Sequence, residues 1–228
     1  MNRLVALVGS PVAHSLSPRM QNAAFAARGL DWTYVACEVA NGDVEAALKG
    51  LEALGFAGAN VTAPFKLDVA QLVGAEIPSV NTLVFDPLRA VSTDAAILDG
   101  LEFERPAIVG DGGAAVAFRD SLPDAQVFSR RGEWPPVVGD YDLVINATPV
   151  RDEVLVRLGA DQTLIDLPYP DSATAMAARE AGARVVGGLE VLVAQGAASF
   201  ELWTGVPAPV DVMRRAVGLT HAQPDDSG

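Results

Sequence analysis

The sequence is poor in cysteine and in basic residues. Cys37 is the only cysteine among 228 residues, which excludes an intramolecular disulfide and a cysteine metal site. Sixteen lysines and arginines stand against 29 aspartates and glutamates, so the formal net charge is −13 and no basic stripe is present. This balance argues against nucleic acids and anionic membrane surfaces as partners. The two histidines and the scattered carboxylates show no metal-ligand spacing, so no metal is expected.

Long apolar runs are missing as well. No stretch has the roughly 20 apolar residues that a membrane-spanning helix needs. The opening run, residues 4–8, is too short for the core of a secretory signal and leads into Gly9 and Pro11, so it predicts a strand in a cytoplasmic protein. Half of all residues are apolar, which is ample for a globular core in one large or two small domains.

Segments with strand periodicity and helix periodicity alternate along the chain, and this alternation predicts an α/β fold. Ser17 followed by Pro18 is typical of a helix start, with Ser17 as the N-cap and the proline in the first turn. Residues 209–217 are expected to form a last helix that packs back on the first part of the chain. The polar tail, residues 220–228, is predicted to be disordered.

The stretch 58–66 joins a predicted strand to a predicted helix and carries three polar side chains, Asn60, Thr62 and Lys66. Pro64 favours the end of the strand here, because proline fixes its own backbone and restricts the residue before it. A lysine in the first helical turn is poorly placed for the helix dipole, and the chain has only two lysines. Taken alone, Lys66 is most simply a solvated lysine, but its polar neighbours make it a candidate ligand-binding residue.

Six groups of residues, in order along the chain, resemble the motifs of the shikimate dehydrogenase family. They are His-Ser-Leu-Ser-Pro at 14–18, Asn-Val-Thr-Ala-Pro-Phe-Lys at 60–66, Asn-Thr at 81–82 with Thr-Asp at 93–94, Gly-Asp-Gly-Gly-Ala at 110–114, Asn-Ala-Thr-Pro at 146–149, and Gly-Leu at 188–189 with Gln-Gly-Ala at 195–197. The resemblance covers nearly the whole chain. It implies NADP-dependent, reversible oxidation of shikimate to 3-dehydroshikimate, a step of aromatic amino acid biosynthesis.

The resemblance also implies two domains. The first is an N-terminal α/β substrate-binding domain made of residues 1–101 together with 206–219. The second is a C-terminal NADP-binding domain, residues 102–205, with a Rossmann-like, doubly wound but shortened fold.

The resemblance assigns the chemistry to particular positions. It implies that Lys66 moves the proton and that Asp94 orients Lys66. Ser15 and Ser17 would bind the substrate carboxylate, beside a helix N-terminus that favours an anion. The remaining implied contacts with the hydroxylated ring are Asn60, Thr62, Asn81, Tyr169 and Gln195.

A strand, a glycine-rich turn and an alanine-rich helix follow one another from residue 107, which is the arrangement of a dinucleotide site. Gly110 allows the tight turn, and Gly112 lets the backbone approach a pyrophosphate. At the end of the next predicted strand, where an acid would bind the NAD ribose, stand Arg130 and Arg131, which suit a 2′-phosphate. NADP is therefore the expected cofactor. Together with the resemblance, the predicted cofactor contacts are Gly110, Gly112, Gly113, Ala114, Ser129, Arg130, Arg131, Thr148 and Gly188.

The second half departs from the family pattern at several places. Asp111 puts a carboxylate in the phosphate loop, and Val116 stands where the family commonly has an arginine. Arg151 replaces a usual glycine, and Pro170 is shifted by one position from the Tyr-x-Pro pattern. Only ten residues, 131–140, join two predicted parallel strands. Such a crossover normally takes about a dozen residues or more and a helix, so its helix is expected to be missing.

The sequence leaves two alternatives open. A paralogue that acts on quinate or aminoshikimate would keep the same serine, lysine, asparagine, aspartate and glutamine set. A non-catalytic shikimate-binding protein with impaired cofactor binding would explain Asp111, Val116 and the short crossover. In each case the expected partner is a small shikimate-like cyclohexene carboxylate, and the chain is expected to act as a monomer or a homodimer.

Overall fold

The computed structural model describes residues 2–219, which form two five-stranded sheets with flanking helices. The strands of the first sheet are β1 (Arg3–Gly9), β2 (Trp32–Glu38), β3 (Gly58–Val61), β4 (Thr82–Phe85) and β5 (Leu88–Val91). Their order across the sheet is β2-β1-β3-β4-β5. The first three strands are parallel, and β4 runs antiparallel to both of its neighbours.

Three helices accompany the first sheet: α1 (Ser17–Ala27), α2 (Val44–Ala53) and α3 (Lys66–Leu72). In α2, Val44, Leu48 and Leu51 recur at helical spacing and are buried. They form one apolar face that packs with Ala59 and Val61 of β3 in a common core. The strand-to-helix turn between β3 and α3 therefore rests on a rigid base.

Helix α1 begins at Ser17, and Leu16 occupies the N-cap position. The prediction that Ser17 is the N-cap is therefore wrong by one residue. The Ser15 hydroxyl accepts a hydrogen bond from the Ser17 backbone N–H at 3.2 Å. Because the hydroxyl that serves this turn comes from Ser15, the buried Ser17 side chain is free for other contacts.

The second sheet is entirely parallel. Its strands are β6 (Pro106–Val109), β7 (Gln126–Phe128), β8 (Leu143–Asn146), β9 (Thr163–Asp166) and β10 (Arg184–Val186), in the order β10-β9-β8-β6-β7. Counted from β6 this is 2-1-3-4-5, a doubly wound order whose switch point lies between β6 and β8. It equals the six-stranded dinucleotide-binding order without its third strand. The predicted α/β fold with a shortened Rossmann-like second half is confirmed.

Two of the connections between strands of the second sheet contain no helix. Helix α4 (Gly113–Ser121) joins β6 to β7, and α5 (Ala173–Glu180) joins β9 to β10. The β7–β8 connection contains no helix, as predicted. The β8–β9 connection, residues 147–162, contains none either, which the sequence analysis did not foresee. Val138 and Leu158 from these two connections are buried against the sheet and cover its apolar surface instead.

Helix α6 (Gly188–Thr204) leaves the second sheet and packs against the first. Phe200 and Trp203 are buried in the same core cluster as Val5 of β1, and the Trp203 indole N–H donates to the Leu83 carbonyl oxygen at 2.9 Å. Helix α7 (Val210–Ala216) follows and packs on α1, as predicted, with Met213 in that core. The domain ranges stay a prediction, and these contacts favour counting α6 with the first sheet.

Every helix within residues 2–219 is too short or too polar to cross a bilayer. In the same part of the chain, no three or more His, Cys, Asp and Glu side chains are grouped so that they could hold a metal ion. The tail predicted to be disordered, residues 220–228, lies outside the described residues.

Candidate active site

Lys66 and Asp94 form a buried ion pair. Lys66 is the first residue of α3, and Asp94 opens a short 3-10 helix, Asp94–Leu98. The Lys66 ammonium donates to both carboxylate oxygens, at 2.8 Å to Oδ1 and 2.6 Å to Oδ2. Their side chains are only 13% and 10% exposed. Two hydrogen bonds to one carboxylate fix the position of Lys66 Nζ, so Lys66 is not a freely solvated lysine.

Asn81 holds the carboxylate in turn. Its amide nitrogen donates to Asp94 Oδ1 at 2.9 Å, and its amide oxygen accepts from the Thr93 backbone N–H at 2.8 Å. The same nitrogen lies 3.4 Å from Gln195 Oε1. Gln195, which the family resemblance assigned to the substrate ring, therefore reaches the Lys66–Asp94 pair through Asn81.

A cluster of buried hydroxyl groups contacts Asn81 and Asn60. Thr82, Thr93 and Ser199 lie within 2.8 to 3.4 Å of one another, and all three are buried. The Asn60 amide nitrogen lies 3.0 Å from Thr82 Oγ1 and 3.1 Å from Ser199 Oγ. Sequence analysis missed Ser199. Its position one turn after Gln195 could have revealed it, because residues four apart share a helix face.

Tyr34 is a second residue that the sequence analysis missed. Its hydroxyl donates to Asn60 Oδ1 at 2.8 Å and hydrogen-bonds with the Ser17 side chain. Burial raises the pKa of Tyr34 well above its usual value, so the phenol stays protonated and can donate at neutral pH. Asn60 is thus braced by protein groups on both sides of its amide, and its contact with a ligand stays a prediction.

Ser15 and Tyr169 meet although Ser15 lies in the loop after β1 of the first sheet and Tyr169 in the loop after β9 of the second. Tyr169 follows β9 of the second sheet, and its hydroxyl hydrogen-bonds with the Ser15 side chain and the Leu16 backbone. Burial raises the pKa of Tyr169. With Ser17 close by, three hydroxyls gather beside the start of α1, where a carboxylate is electrostatically favoured.

Thr62 lies at the mouth of the β3–α3 turn. Its methyl group packs on Gly9, where a Cβ atom would come within 2.3 Å of Thr62 Cγ2. The structure assigns no side-chain hydrogen bond to Thr62, and its contact with substrate stays a prediction.

The glycine-rich loop lies directly against Lys66. A Cβ atom on Gly113 would be 2.9 Å from Lys66 Cβ, so only glycine fits at this position. The Ser79 hydroxyl donates to the Gly113 carbonyl oxygen at 2.8 Å and anchors the loop to the first sheet. Gly110 has φ +130, a conformation that favours glycine, and no atom lies within 4 Å of a Cβ built on Gly112. The loop therefore leaves its backbone accessible next to Lys66, with Ala114 in the first turn of α4.

The two arginines after β7 lie at the surface near the same loop. Arg130 Nη2 is 3.7 Å from Glu153 Oε2, and its guanidinium lies 5.5 Å from the centre of the Trp134 ring. Arg131 Nε is 3.6 Å from Asp111 Oδ2. Asp111 thus has a cationic partner, although an exposed pair of this kind contributes little stability. Neither Trp134 nor Glu153 was singled out from the sequence.

The other predicted cofactor residues have different surroundings. Thr148 Oγ1 donates to Asn146 Oδ1 at 2.8 Å, and Ser129 N donates to the Glu133 carbonyl oxygen. A Cβ atom on Gly188 would come within 2.3 Å of the Leu167 carbonyl oxygen. Close backbone packing is therefore sufficient to explain the glycine at 188, and its contact with a cofactor stays a prediction.

Comparison with known proteins identifies the family. Residues 7–83 match the profile of the shikimate dehydrogenase substrate binding domain, and residues 188–217 match that of the shikimate 5′-dehydrogenase C-terminal domain. The shikimate dehydrogenase (NADP(+)) of Moorella thermoacetica is 40% identical over an alignment that covers 97% of this chain and 96% of that protein. The chain belongs to the shikimate dehydrogenase family.

Other relatives named as shikimate dehydrogenases are similar over most of the chain. The shikimate dehydrogenase (NADP(+)) of Anaeromyxobacter sp. strain K is 38% identical, covering 94% of this chain and 95% of its own. The crystal structure of shikimate 5-dehydrogenase from Thermus thermophilus, in complex with NADP(H) and shikimate, superimposes with a TM-score of 0.79. It is 28% identical and covers 94% of this chain and 98% of its own.

This chain is shorter than its relative from Moorella thermoacetica. The alignment with the Moorella protein spans 282 positions and the chain has 228 residues, so that relative has segments that are missing here. Residues 84–187, which include the whole second sheet, lie outside both profile matches. The similarity to the family profiles is thus concentrated on the first sheet and α6.

Proposed function

We propose that this protein catalyses the NADP-dependent, reversible oxidation of shikimate to 3-dehydroshikimate. The observation that carries the proposal is the contact between Gly113 of the glycine-rich loop and Lys66, which is itself paired with Asp94. A proton-transferring group and a dinucleotide loop are thereby adjacent, as the oxidation of an alcohol by a nicotinamide requires.

The residues at the switch point fit a dinucleotide. Gly110 has a positive φ, no atom lies within 4 Å of a Cβ built on Gly112, and α4 directs its N-terminus at the loop. Arg130 and Arg131 provide positive charge at the end of β7, where a 2′-phosphate would bind. NADP, when bound, supplies the nicotinamide carbon that accepts the hydride from the substrate carbinol.

The chain's own residues orient the substrate and move the proton. Ser15, Ser17 and Tyr169 offer three hydroxyls for the shikimate carboxylate. During oxidation, Lys66 acts in its neutral amine form and takes the hydroxyl proton as the hydride leaves, becoming the ammonium, and during reduction the ammonium gives that proton back to the new hydroxyl. Asp94 keeps Lys66 Nζ in place during both oxidation and reduction, because both of its carboxylate oxygens are hydrogen-bonded to Nζ.

The surroundings of Asp111 weaken the case for a non-catalytic protein. That alternative rested partly on repulsion between Asp111 and a pyrophosphate. The contact of Asp111 with Arg131 offsets part of this negative charge and weakens the argument for impaired cofactor binding. Action as a monomer or as a homodimer stays a prediction.

The proposal is tested by initial rates of NADPH formation at 340 nm with shikimate and NADP+. NAD+ in place of NADP+ and quinate in place of shikimate serve as comparisons. We expect turnover with shikimate and NADP+ to exceed every other pair. No turnover with any pair, while calorimetry detects shikimate binding, would favour the non-catalytic binding protein.

Replacing Arg130 with alanine is expected to raise the KM for NADP+ by roughly tenfold or more, because hydrogen bonds to a charged group contribute about 1.5–3 kcal/mol. The KM for NAD+, which has no 2′-phosphate, is expected to stay within about twofold. Steady-state kinetics with both cofactors measure this difference. Arg119→Ala is the matched control, since Arg119 lies in the last turn of α4, away from the loop. Equal effects on both cofactors would argue against a 2′-phosphate contact.

A further inference from the structure

Asp166 is a buried carboxylate that the proposed reaction does not use. It is the last residue of β9 and has no solvent exposure. Its register partner on the neighbouring strand is Asn146, the last residue of β8, which is also fully buried. A carboxylate in such a place is unfavourable unless its oxygens are hydrogen-bonded. Burial raises the pKa of Asp166, and hydrogen bonds from Asn146 and Ser172 oppose that rise.

One oxygen of Asp166 is connected through hydrogen bonds of Asn146 to the cofactor side of the site. The Asn146 amide nitrogen donates to Asp166 Oδ1 at 2.7 Å. Asn146 Oδ1 then accepts from the Thr148 hydroxyl at 2.8 Å and from the Thr148 N–H at 3.2 Å. Thr148 stands over the glycine-rich loop, where a Cβ atom on Gly110 would be 3.5 Å from Thr148 Cγ2. Asp166 therefore sets which way the Asn146 amide faces and, through it, the conformation of the loop after β8.

The other oxygen of Asp166 is hydrogen-bonded to Ser172, at the end of the loop that carries Tyr169 on the substrate side. The Ser172 backbone N–H donates to Asp166 Oδ2 at 3.3 Å. Ser172 in turn caps α5 by accepting from the Ala175 N–H. The residues between Asp166 and Ser172 form the loop that presents Tyr169 to Ser15. Asp166 therefore closes this loop at both of its ends.

We propose that Asp166 is a positioning residue, which orders the Thr148 loop and the Tyr169 loop together and so couples the cofactor side of the site to the substrate side. This inference rests on the proposed function for its choice of ligands. Asp166 touches neither ligand and acts through Asn146 and Ser172.

The arrangement of donors and acceptors makes the proposal specific. A carboxylate at 166 accepts from the Asn146 amide nitrogen with one oxygen and from the Ser172 backbone N–H with the other, and both of these groups can only donate. In Asp166→Asn the new amide retains one oxygen. It keeps the shorter contact with Asn146, and its NH2 group then faces the Ser172 N–H, so the Tyr169 loop loses its anchor.

Exchanging the two residues restores every contact. In the double variant Asn146→Asp with Asp166→Asn, the carboxylate at 146 accepts from Thr148 and from the amide at 166. The amide oxygen at 166 then accepts from the Ser172 N–H. Burial and side-chain size are the same as in the wild type, and only the positions of carboxylate and amide are exchanged.

The test measures ligand affinity by calorimetry for the full chain, using shikimate and NADPH as the probes. Asp166→Asn is expected to weaken shikimate binding about tenfold and NADPH binding less than about threefold, as expected for the loss of about one hydrogen bond. The exchanged double variant is expected to bind shikimate within about threefold of the wild type. Unchanged shikimate affinity in Asp166→Asn, or an exchanged variant that binds no better than Asp166→Asn, would overturn the proposal.

Amide hydrogen exchange at Ser172 provides a readout that does not depend on either ligand. Its N–H is expected to exchange faster in Asp166→Asn and to regain wild-type protection in the exchanged variant. If Asp166→Asn does not fold, recovery of folding and of shikimate binding by the exchanged variant supports the proposal, and an unfolded exchanged variant overturns it. Failure of the proposed function appears separately, as absence of turnover by the wild type with all substrate and cofactor pairs.

Discussion

Lys66→Met is expected to lower kcat for shikimate oxidation by about a thousandfold, within the range that a positioned acid or base contributes. Methionine keeps much of the length of the lysine side chain but cannot exchange a proton. Asp94 retains its hydrogen bond from Asn81, so the site is expected to keep its shape. Initial rates at 340 nm measure kcat, and circular dichroism with a thermal melt shows whether the fold is retained.

The chain offers a matched control for this substitution in its other lysine. Lys49 forms an exposed i, i+4 pair with Glu45, with side chains 73% and 57% exposed. Such a pair contributes only a few tenths of a kcal/mol. Lys49→Met should therefore leave kcat and the melting temperature nearly unchanged. If Lys66→Met keeps kcat within tenfold of the wild type, Lys66 is not the proton-transferring group.

Gly113→Ala is expected to lower kcat about a hundredfold, because a displacement near 1 Å at a reacting group can cost that much. The new methyl group would lie 2.9 Å from Lys66 Cβ, closer than real Cβ atoms approach other atoms. The loop cannot easily retreat, since Ser79 holds the Gly113 carbonyl. The strain therefore falls on Lys66 Nζ and its pairing with Asp94. Single-turnover and steady-state rates with shikimate and NADP+ measure the effect.

Neighbouring glycines separate crowding of the lysine from damage to cofactor binding. No atom lies within 4 Å of a Cβ on Gly112, but the backbone there is proposed to approach the pyrophosphate. Gly112→Ala should therefore raise the KM for NADP+ with little change in kcat, the reverse of Gly113→Ala. Gly50→Ala, in α2 and free of neighbours, should change neither. An unchanged kcat in Gly113→Ala would show that the contact with Lys66 does not affect the reaction.

The local features of the fold could be predicted because they depend on short-range pattern. Apolar alternation located the strands, and a serine before an alanine-rich helical segment is typical of an N-cap, as Ser172 is for α5, whose first turn donates to its hydroxyl. The count of residues in the β7–β8 connection was enough to predict a crossover without a helix. Ser17 shows the limit of such patterns, because Ser15 supplies a hydroxyl at almost the same place and shifts the boundary by one residue.

The long-range parts of the site could be predicted only where the family resemblance supplied them. The order of motifs implied the pairing of Lys66 with Asp94. Nothing in the sequence brings Tyr34 to Asn60, because the pairing of β1 with both β2 and β3 decides which side chains meet. The same holds for Asp166 and Asn146, which become partners only through the register of β8 and β9.

The return of α6 and α7 to the first sheet affects how the chain folds during synthesis. The core around Val5 and Met20 also contains Phe200 and Met213, so it cannot close until residues 200–213 have left the ribosome. Until then the apolar faces of β1 and α1 are exposed and depend on chaperones or on rapid synthesis of these later residues. The second sheet, residues 106–186, is continuous in the chain and waits for no later strand. The part of the protein that begins later can therefore be the part that finishes folding first.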